Sequence, residues 1–154
     1  MADMIKFTDD SKQIINIWQQ AFGDTDEEII FFIENCKNKS CLGFFENNRL
    51  LSMMYLVDCI CDGDMSKYVY AACTLENMQG NGYMSRLLDY CKEKFKTFCL
   101  IPADERLVDF YFHRGLTEKT KTEKLIFDES EEIKEYLFEG CELEKPFVMK
   151  YIGG

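Results

Sequence analysis

The sequence predicts an α+β fold: a mixed, mostly antiparallel twisted sheet flanked by helices. Three observations carry the prediction. Two amphipathic helical segments stand back to back near the start, and three apolar runs joined by short polar turns follow them. The rest of the chain alternates strand-like and helix-like pieces, the order of a layered α+β domain. At 154 residues, with 47% hydrophobic and 14% aromatic content, the chain can bury a sizeable core without staples. No repeat, low-complexity tract or Pro/Ser-rich linker divides it, so residues 1–154 are read as one domain.

Taken in order, "MIKF" (Met4 to Phe7) reads as a short first strand. In "DDSKQIINIWQQAFG", Asp10 or Ser11 can cap a helix. Ile14, Ile17, Trp18, Ala21 and Phe22 give it an apolar face, and Gly23 stops it. A second helix restarts at Asp24, Thr25 or Asp26, with Glu27 and Glu28 complementing the positive end of its dipole. "CLGFFE", the turn "NNR" and "LLSMMYLVDCI" form a β-hairpin; "CDGDMS" is a second turn and "KYVYAACTL" a third strand. Met84 to Phe95 has helical spacing through Leu87, Leu88, Cys91 and Phe95. "TFCLI" is a short strand halted by Pro102, and "DERLVDFYFHRG" is a helix capped by Asp104 and stopped at Gly115. The tail reads as strands near 116–119 and 124–127, a short helix over 131–138 and a last strand "PFVMKYI".

Composition removes several function classes. The chain carries 28 acidic and 18 basic residues, a formal charge of −10, and no Lys/Arg cluster that would neutralise a polynucleotide. An acidic surface steers cationic small molecules or peptides, although plain solubility explains it equally well. The eight cysteines have only Cys59 and Cys61 closely spaced, and the single His113 is far from them, so no metal site is predicted. With no signal pattern and no long apolar run, a cytoplasmic location with reduced, buried cysteines is expected and a membrane span is not.

The chemistry concentrates in "LENMQGNGYMSRLLDYC" (Leu75 to Cys91), where a strand hands over to a helix through Gly80 and Gly82. Such a corner aims unpaired backbone N–H groups and the helix dipole at one spot, an anion site that glycines let a phosphate approach. The Gly-Lys-Ser/Thr of a mononucleotide loop is missing. A dinucleotide fingerprint would need glycine at Ser85. A simple tight turn stays open on spacing alone.

The run Gln79, Gly80, Asn81, Gly82, Tyr83, Met84, followed by "SRLLDYC", resembles the Gln/Arg-x-x-Gly-x-Gly/Ala cofactor loop of the GNAT acyltransferase superfamily. Downstream, "FYFHRGL" is similar to that family's Tyr-x-x-x-Gly-Phe-like helix ending, with Tyr111 four residues before Gly115. The likeness is strongest over 68–116, and the element order agrees throughout. Met84 stands where the family prefers glycine or alanine. The chain looks closest to the branch of the enhanced-intracellular-survival acetyltransferases, as a single GNAT domain without their later domains.

The resemblance implies acetyl-CoA as cosubstrate, its pyrophosphate held by Gln79 to Met84. Cys73, Thr74 and Leu75 would pair with the pantetheine arm, which enters a splay between that strand and "TFCLI". The N–H of Cys73 or Thr74 would polarise the acetyl carbonyl as an oxyanion hole does. Tyr111 matches the general-acid tyrosine, against a structural role as a core aromatic. Asp58 and Glu76 are candidates for the base, and His113 would point elsewhere on its helix. Phe22, Asp24, Asp26, Phe31 and Phe32 would meet a small-molecule or peptide amine, cationic in character. An N-acetyltransferase is the expected activity, with a non-catalytic CoA- or acyl-CoA-binding module as the alternative. An edge strand near the C-terminus could support a homodimer.

Overall fold

A computed structural model describes residues 4–153 of the chain. The strands are β1 (Met4–Thr8), β2 (Lys39–Glu46), β3 (Arg49–Cys61), β4 (Asp64–Thr74), β5 (Thr97–Leu100), β6 (Glu118–Thr120), β7 (Leu125–Ile126) and β8 (Val148–Ile152). The helices are α1 (Ser11–Phe22), α2 (Asp26–Asn35), α3 (Tyr83–Lys94), α4 (Glu105–Phe112) and α5 (Glu131–Phe138), with short 3-10 turns at Glu76–Met78 and Thr122–Lys124. The sheet runs β1-β2-β3-β4-β5-β8-β6, and β7 pairs separately with the end of β3. Every pairing is antiparallel except β4 with β5. The α+β class and the mostly antiparallel sheet flanked by helices are therefore as the sequence predicts.

Local chemistry sets the boundaries. Asp10 accepts the Gln13 N–H to cap α1, and Gly23 ends that helix in the left-handed region at φ 74°. Of the three possible starts for α2, Thr25 is the cap, because Glu28 three residues on completes a capping box. The β3–β4 turn is tighter than "CDGDMS" suggested. Asp62 and Gly63 both take positive φ, so an Asp-Gly two-residue turn lets β4 begin at Asp64. The Asn47–Asn48 turn is built the same way, which puts Arg49 into β3. The predicted 116–119 and 124–127 strands lie at Glu118–Thr120 and Leu125–Ile126.

β3 is buried on both faces from Leu50 to Val57, as a central strand covered on each side must be. On one face Trp18 of α1 meets Phe32 of α2, Tyr55 and Tyr70, with ring centroids 5.4, 5.9 and 5.7 Å away. On the other, Leu87, Leu88 and Cys91 of α3 pack down, and the Cys91 sulfur lies 3.8 Å from that of Met54. The tail is tied in by Glu129, a buried carboxylate that accepts the main-chain N–H groups of Lys37 and Asn38, each at 2.9 Å.

Two irregularities interrupt β4. Opposite Met54, the strand carries an extra residue: Tyr55 pairs with Tyr70 but Met53 with Cys73, and Ala71 sits at φ 55°. On its other edge β4 meets β5 only at Lys67 and Tyr68. From Tyr70 to Thr74 the two strands have parted, which leaves an open side next to the bulge. The C-terminal strand β8 is paired on both sides, so the edge in that region is the three-residue β6. Among the described residues no helix is long and apolar enough to cross a membrane.

Candidate active site

The corner after β4 is open. The first intrahelical bond of α3 is Arg86 N–H to the Gly82 carbonyl, so the N–H groups of Tyr83, Met84 and Ser85 are unclaimed by the helix. Among the described residues no acceptor takes the N–H of Gln79, Gly80, Asn81 or Gly82 either. Asp10, Thr25, Asp104 and Ser130 cap the other four helices with side chains, whereas α3 begins at Gly82 with none. Gly80 and Gly82 take φ 84° and 78°, and a Cβ at either would meet nothing within 4 Å. The glycines thus serve the left-handed backbone and the space in front of it. A cavity of about 330 Å³ lies there, lined by Thr74, Met78, Gln79 through Ser85, Phe110 and Arg114.

Several side chains hold this loop in place. The Asn81 side-chain amide donates to the Met78 carbonyl at 2.9 Å, and the Tyr83 ring stacks on Phe44 with centroids 4.5 Å apart. Met84 lines the cavity and packs partly on the core, so its bulk is accommodated beside the loop. Of Cys73, Thr74 and Leu75, Thr74 alone lines this cavity. Leu75 N–H bonds the Leu51 carbonyl at 2.9 Å. By the alternation of an antiparallel ladder Cys73 also faces β3, and Thr74 turns its main-chain groups to the open side. The 2.8 Å contact between the Ser52 and Thr74 hydroxyls fits that alternation, since side chains approach most closely at non-hydrogen-bonded pairs.

The β4–β5 splay opens into a second cavity of about 540 Å³. Ala71 and Ala72 of the bulge line it, with Leu100, Ile101 and Ala103, and Tyr111 of α4 reaches it too. Tyr111 is 7% exposed, and its hydroxyl has no hydrogen-bond partner among the described residues. Burial, followed by the nearby Asp104 carboxylate and the Cys73 thiol, pushes its pKa up to about 12. The adjacent Phe110 lines the loop cavity instead, so α4 is the partition between the two chambers.

Four carboxylates line this cleft, Asp24, Asp104, Glu139 and Glu142, against one cation, Arg106. Asp24 accepts the Trp18 indole N–H at 2.8 Å. The segment bearing Glu139 and Glu142 is docked by Glu142 N–H to the Ala103 carbonyl at 2.7 Å and by the Cys141 thiol to that of Pro102. Of the acceptor residues expected from the sequence, Phe22 and Asp24 line the cleft. Asp26 is engaged by Gln19, Phe31 stacks on Tyr136, and Phe32 is core. Asp58 is ion-paired to Lys67 on the sheet, Glu76 sits exposed in the 3-10 turn, and His113 lies against the Asp109 carbonyl; none lines the cleft.

Sequence reasoning does not find Arg114, Glu139 or Glu142. Arg114 stands inside "FYFHRGL", but only its reach to Ser85 across a helix boundary reveals it. The cysteines are all free thiols, and burial raises the pKa of Cys73 well above the ordinary range, which leaves it protonated packing rather than a nucleophile. Among the described residues no three His, Cys, Asp or Glu side chains group to hold a metal.

The profile of the acetyltransferase (GNAT) domain matches residues 6–111, and the chain belongs to that family. No match is found among curated proteins. A GNAT-family acetyltransferase of Staphylococcus aureus Mu50 superposes with a TM-score of 0.61 at 12% identity, over 98% of this chain and 99% of that one. An N-acetyltransferase of Thermoplasma acidophilum, solved in complex with coenzyme A, superposes with a TM-score of 0.57 at 13% identity, over 99% of each chain. A conserved protein of Enterococcus faecalis V583 superposes with a TM-score of 0.56 at 18% identity over 72% of this chain, which spans only 32% of that one. At these identities the likeness is one of fold.

Proposed function

We propose that the protein is an acetyl-CoA-dependent N-acetyltransferase that acetylates a primary amine of a cationic small molecule or peptide by direct attack in a ternary complex. The carrying observation is the row of unclaimed amides from Gln79 to Ser85 facing an open cavity, next to a splayed strand pair and an unpartnered tyrosine hydroxyl. The coenzyme A held by the Thermoplasma protein of the same fold supports the choice of cosubstrate. Residues 1–154 act as one catalytic domain in this reading. Assignment to the enhanced-intracellular-survival branch, with Met84 as a variation of the loop, stays part of the proposal.

The bound thioester supplies an activated acetyl carbonyl. In this reading the N–H of Thr74, which turns to the open side of β4, donates to that carbonyl oxygen as negative charge develops on it. Asp24, Glu139 and Glu142 attract the ammonium form of the acceptor, and its proton leaves to them through water, which frees the nitrogen lone pair. The amine nitrogen forms the new bond to carbon, the C–S bond breaks as Tyr111 passes its proton to the departing sulfur, and the acylated nitrogen gives up its extra proton to the Tyr111 phenolate, which restores the acid. A phenol held near 12 stays protonated throughout the neutral range, as an acid must before it acts. The Cys73 thiol, buried and protonated, argues against an acetyl-enzyme.

The test is thiol release from acetyl-CoA with a panel of polyamines, aminoglycosides and peptide N-termini. Wild type should turn over at least one of them, and Tyr111→Phe should lower kcat by roughly 10²- to 10⁴-fold with little change in CoA binding. A second reading, a CoA-binding module without turnover, draws on the placement of both expected bases, Asp58 and Glu76, outside the cleft. Coenzyme A binding with no turnover across the panel selects it. If a second copy associates, the edge offered near the C-terminus is β6, whose three residues form a short template.

A further inference from the structure

We propose that Arg114 reads the diphosphate of the acyl donor and so sets the preference for a nucleotide-bearing thioester over a bare pantetheine one. The inference rests on the acetyltransferase reading and adds a residue that the loop cannot supply. From Tyr68 to Ser85 the chain carries no lysine or arginine, and Glu76 is its only charged side chain. Unaided, the loop would offer amides and a helix end equivalent to about half a charge. A diphosphate brings more than that into a protein of net charge −10.

Arg114 follows the end of α4 but does not stay there. Its Nε donates to Ser85 Oγ at 2.7 Å, and its Nη1 donates to the Phe110 carbonyl at 2.9 Å. The guanidinium carbon lies 3.6 Å from the Phe110 ring centroid. Those three contacts fix the plane of the group. Arginine has five N–H donors, so three remain, and the residue lines the loop cavity with Gly80 through Ser85. Bonding its own helix carbonyl alone would be ordinary C-terminal capping. Reaching Ser85 instead places a cation beside the uncapped, positive end of α3, an unfavourable position unless an anion lies between. Amides on one side and an oriented fork on the other match the two faces of a diphosphate. The other nearby cation, Arg86, lies over the Phe44 ring at 4.8 Å and does not line the cavity.

The test titrates coenzyme A, 3′-dephospho-coenzyme A and pantetheine into wild type, Arg114→Ala and Arg114→Lys, followed by calorimetry or thermal shift. Wild type should bind both nucleotide-bearing ligands better than pantetheine. Arg114→Ala should weaken coenzyme A and its dephospho form alike, by about tenfold to a hundredfold. Its affinity for pantetheine should be unchanged, which also reports an intact fold. Arg114→Lys should fall between, because it keeps the charge and loses the fork. Equal weakening of all three ligands, or of none, overturns the proposal in favour of a structural Arg114. Weakening of coenzyme A alone overturns it in favour of a 3′-phosphate contact. In all of those cases the acetyltransferase reading survives, whereas a wild type that binds no coenzyme A takes both down.

Discussion

Gly23 and Gly82 have nearly the same backbone, φ 74° and ψ 11° against φ 78° and ψ 12°, and a Cβ at either meets nothing within 4 Å. One ends a helix and the other begins the helix behind the anion cavity. Alanine at either site enters the left-handed region at about 1–2 kcal/mol. The lower entropy of the unfolded alanine chain offsets about 0.4–1 kcal/mol of that. The net cost is about 1 kcal/mol in both variants, or roughly 2–4 °C in Tm for a domain of this size. Their ligand binding should separate. Gly82→Ala places a methyl group where the phosphate would approach and shifts the amides. Losing one charge-assisted hydrogen bond lowers coenzyme A affinity roughly 10- to 100-fold. Gly23→Ala should bind coenzyme A as wild type does. Differential scanning calorimetry gives the first comparison and isothermal titration the second. If Gly82→Ala binds coenzyme A within twofold of wild type, the amides of that corner do not grip the ligand. If the two melting shifts differ widely, the cost is not conformational.

The same geometry sets other expectations. Glu129→Gln turns one of the two carboxylate oxygens that accept main-chain N–H groups into a donor facing an N–H group, so unfolding by urea should show a loss of about 1–3 kcal/mol. Lys150, then Thr120, hydrogen-bond Asp62 and hold its carboxyl below the usual range. That stabilisation is present above the unfolded carboxylate pKa and is lost as pH falls through the lower folded value. Asp62→Asn should therefore lower Tm at pH 7 and flatten the acid limb of the Tm–pH curve below about pH 4. Asp24→Asn keeps an acceptor for the Trp18 indole and removes a cleft charge. It should raise KM for a cationic acceptor severalfold and leave coenzyme A binding unchanged, as steady-state kinetics at low and high salt can check.

Where the sequence was informative, the signal was local. Asp10 and Gly23 around α1, the Thr25–Glu28 box, and the glycine pair at the β4–α3 corner each act through neighbours a few residues away. The family followed from two such local motifs in register. The acceptor side was less legible because it is assembled from separated pieces: the α1–α2 hinge, the α4 N-terminus and the segment after α5. Glu139 and Glu142 reach the cleft only through the Ala103 and Pro102 bonds that dock their segment. Asp58 looked available as a base, yet cross-strand register sets it opposite Lys67, which engages it. Phe31 and Phe32 are adjacent in an apolar run; both meet Tyr136, but helix phase buries only Phe32 in the Trp18 cluster.

The partition formed by α4 has an evolutionary corollary. Phe110 and Tyr111 are consecutive residues of an eight-residue helix, and each serves a different chamber. Adding or deleting one residue upstream would swing the pair by about 100° and hand each chamber the wrong neighbour. Drift along 105–112 should therefore take the form of replacements at constant length.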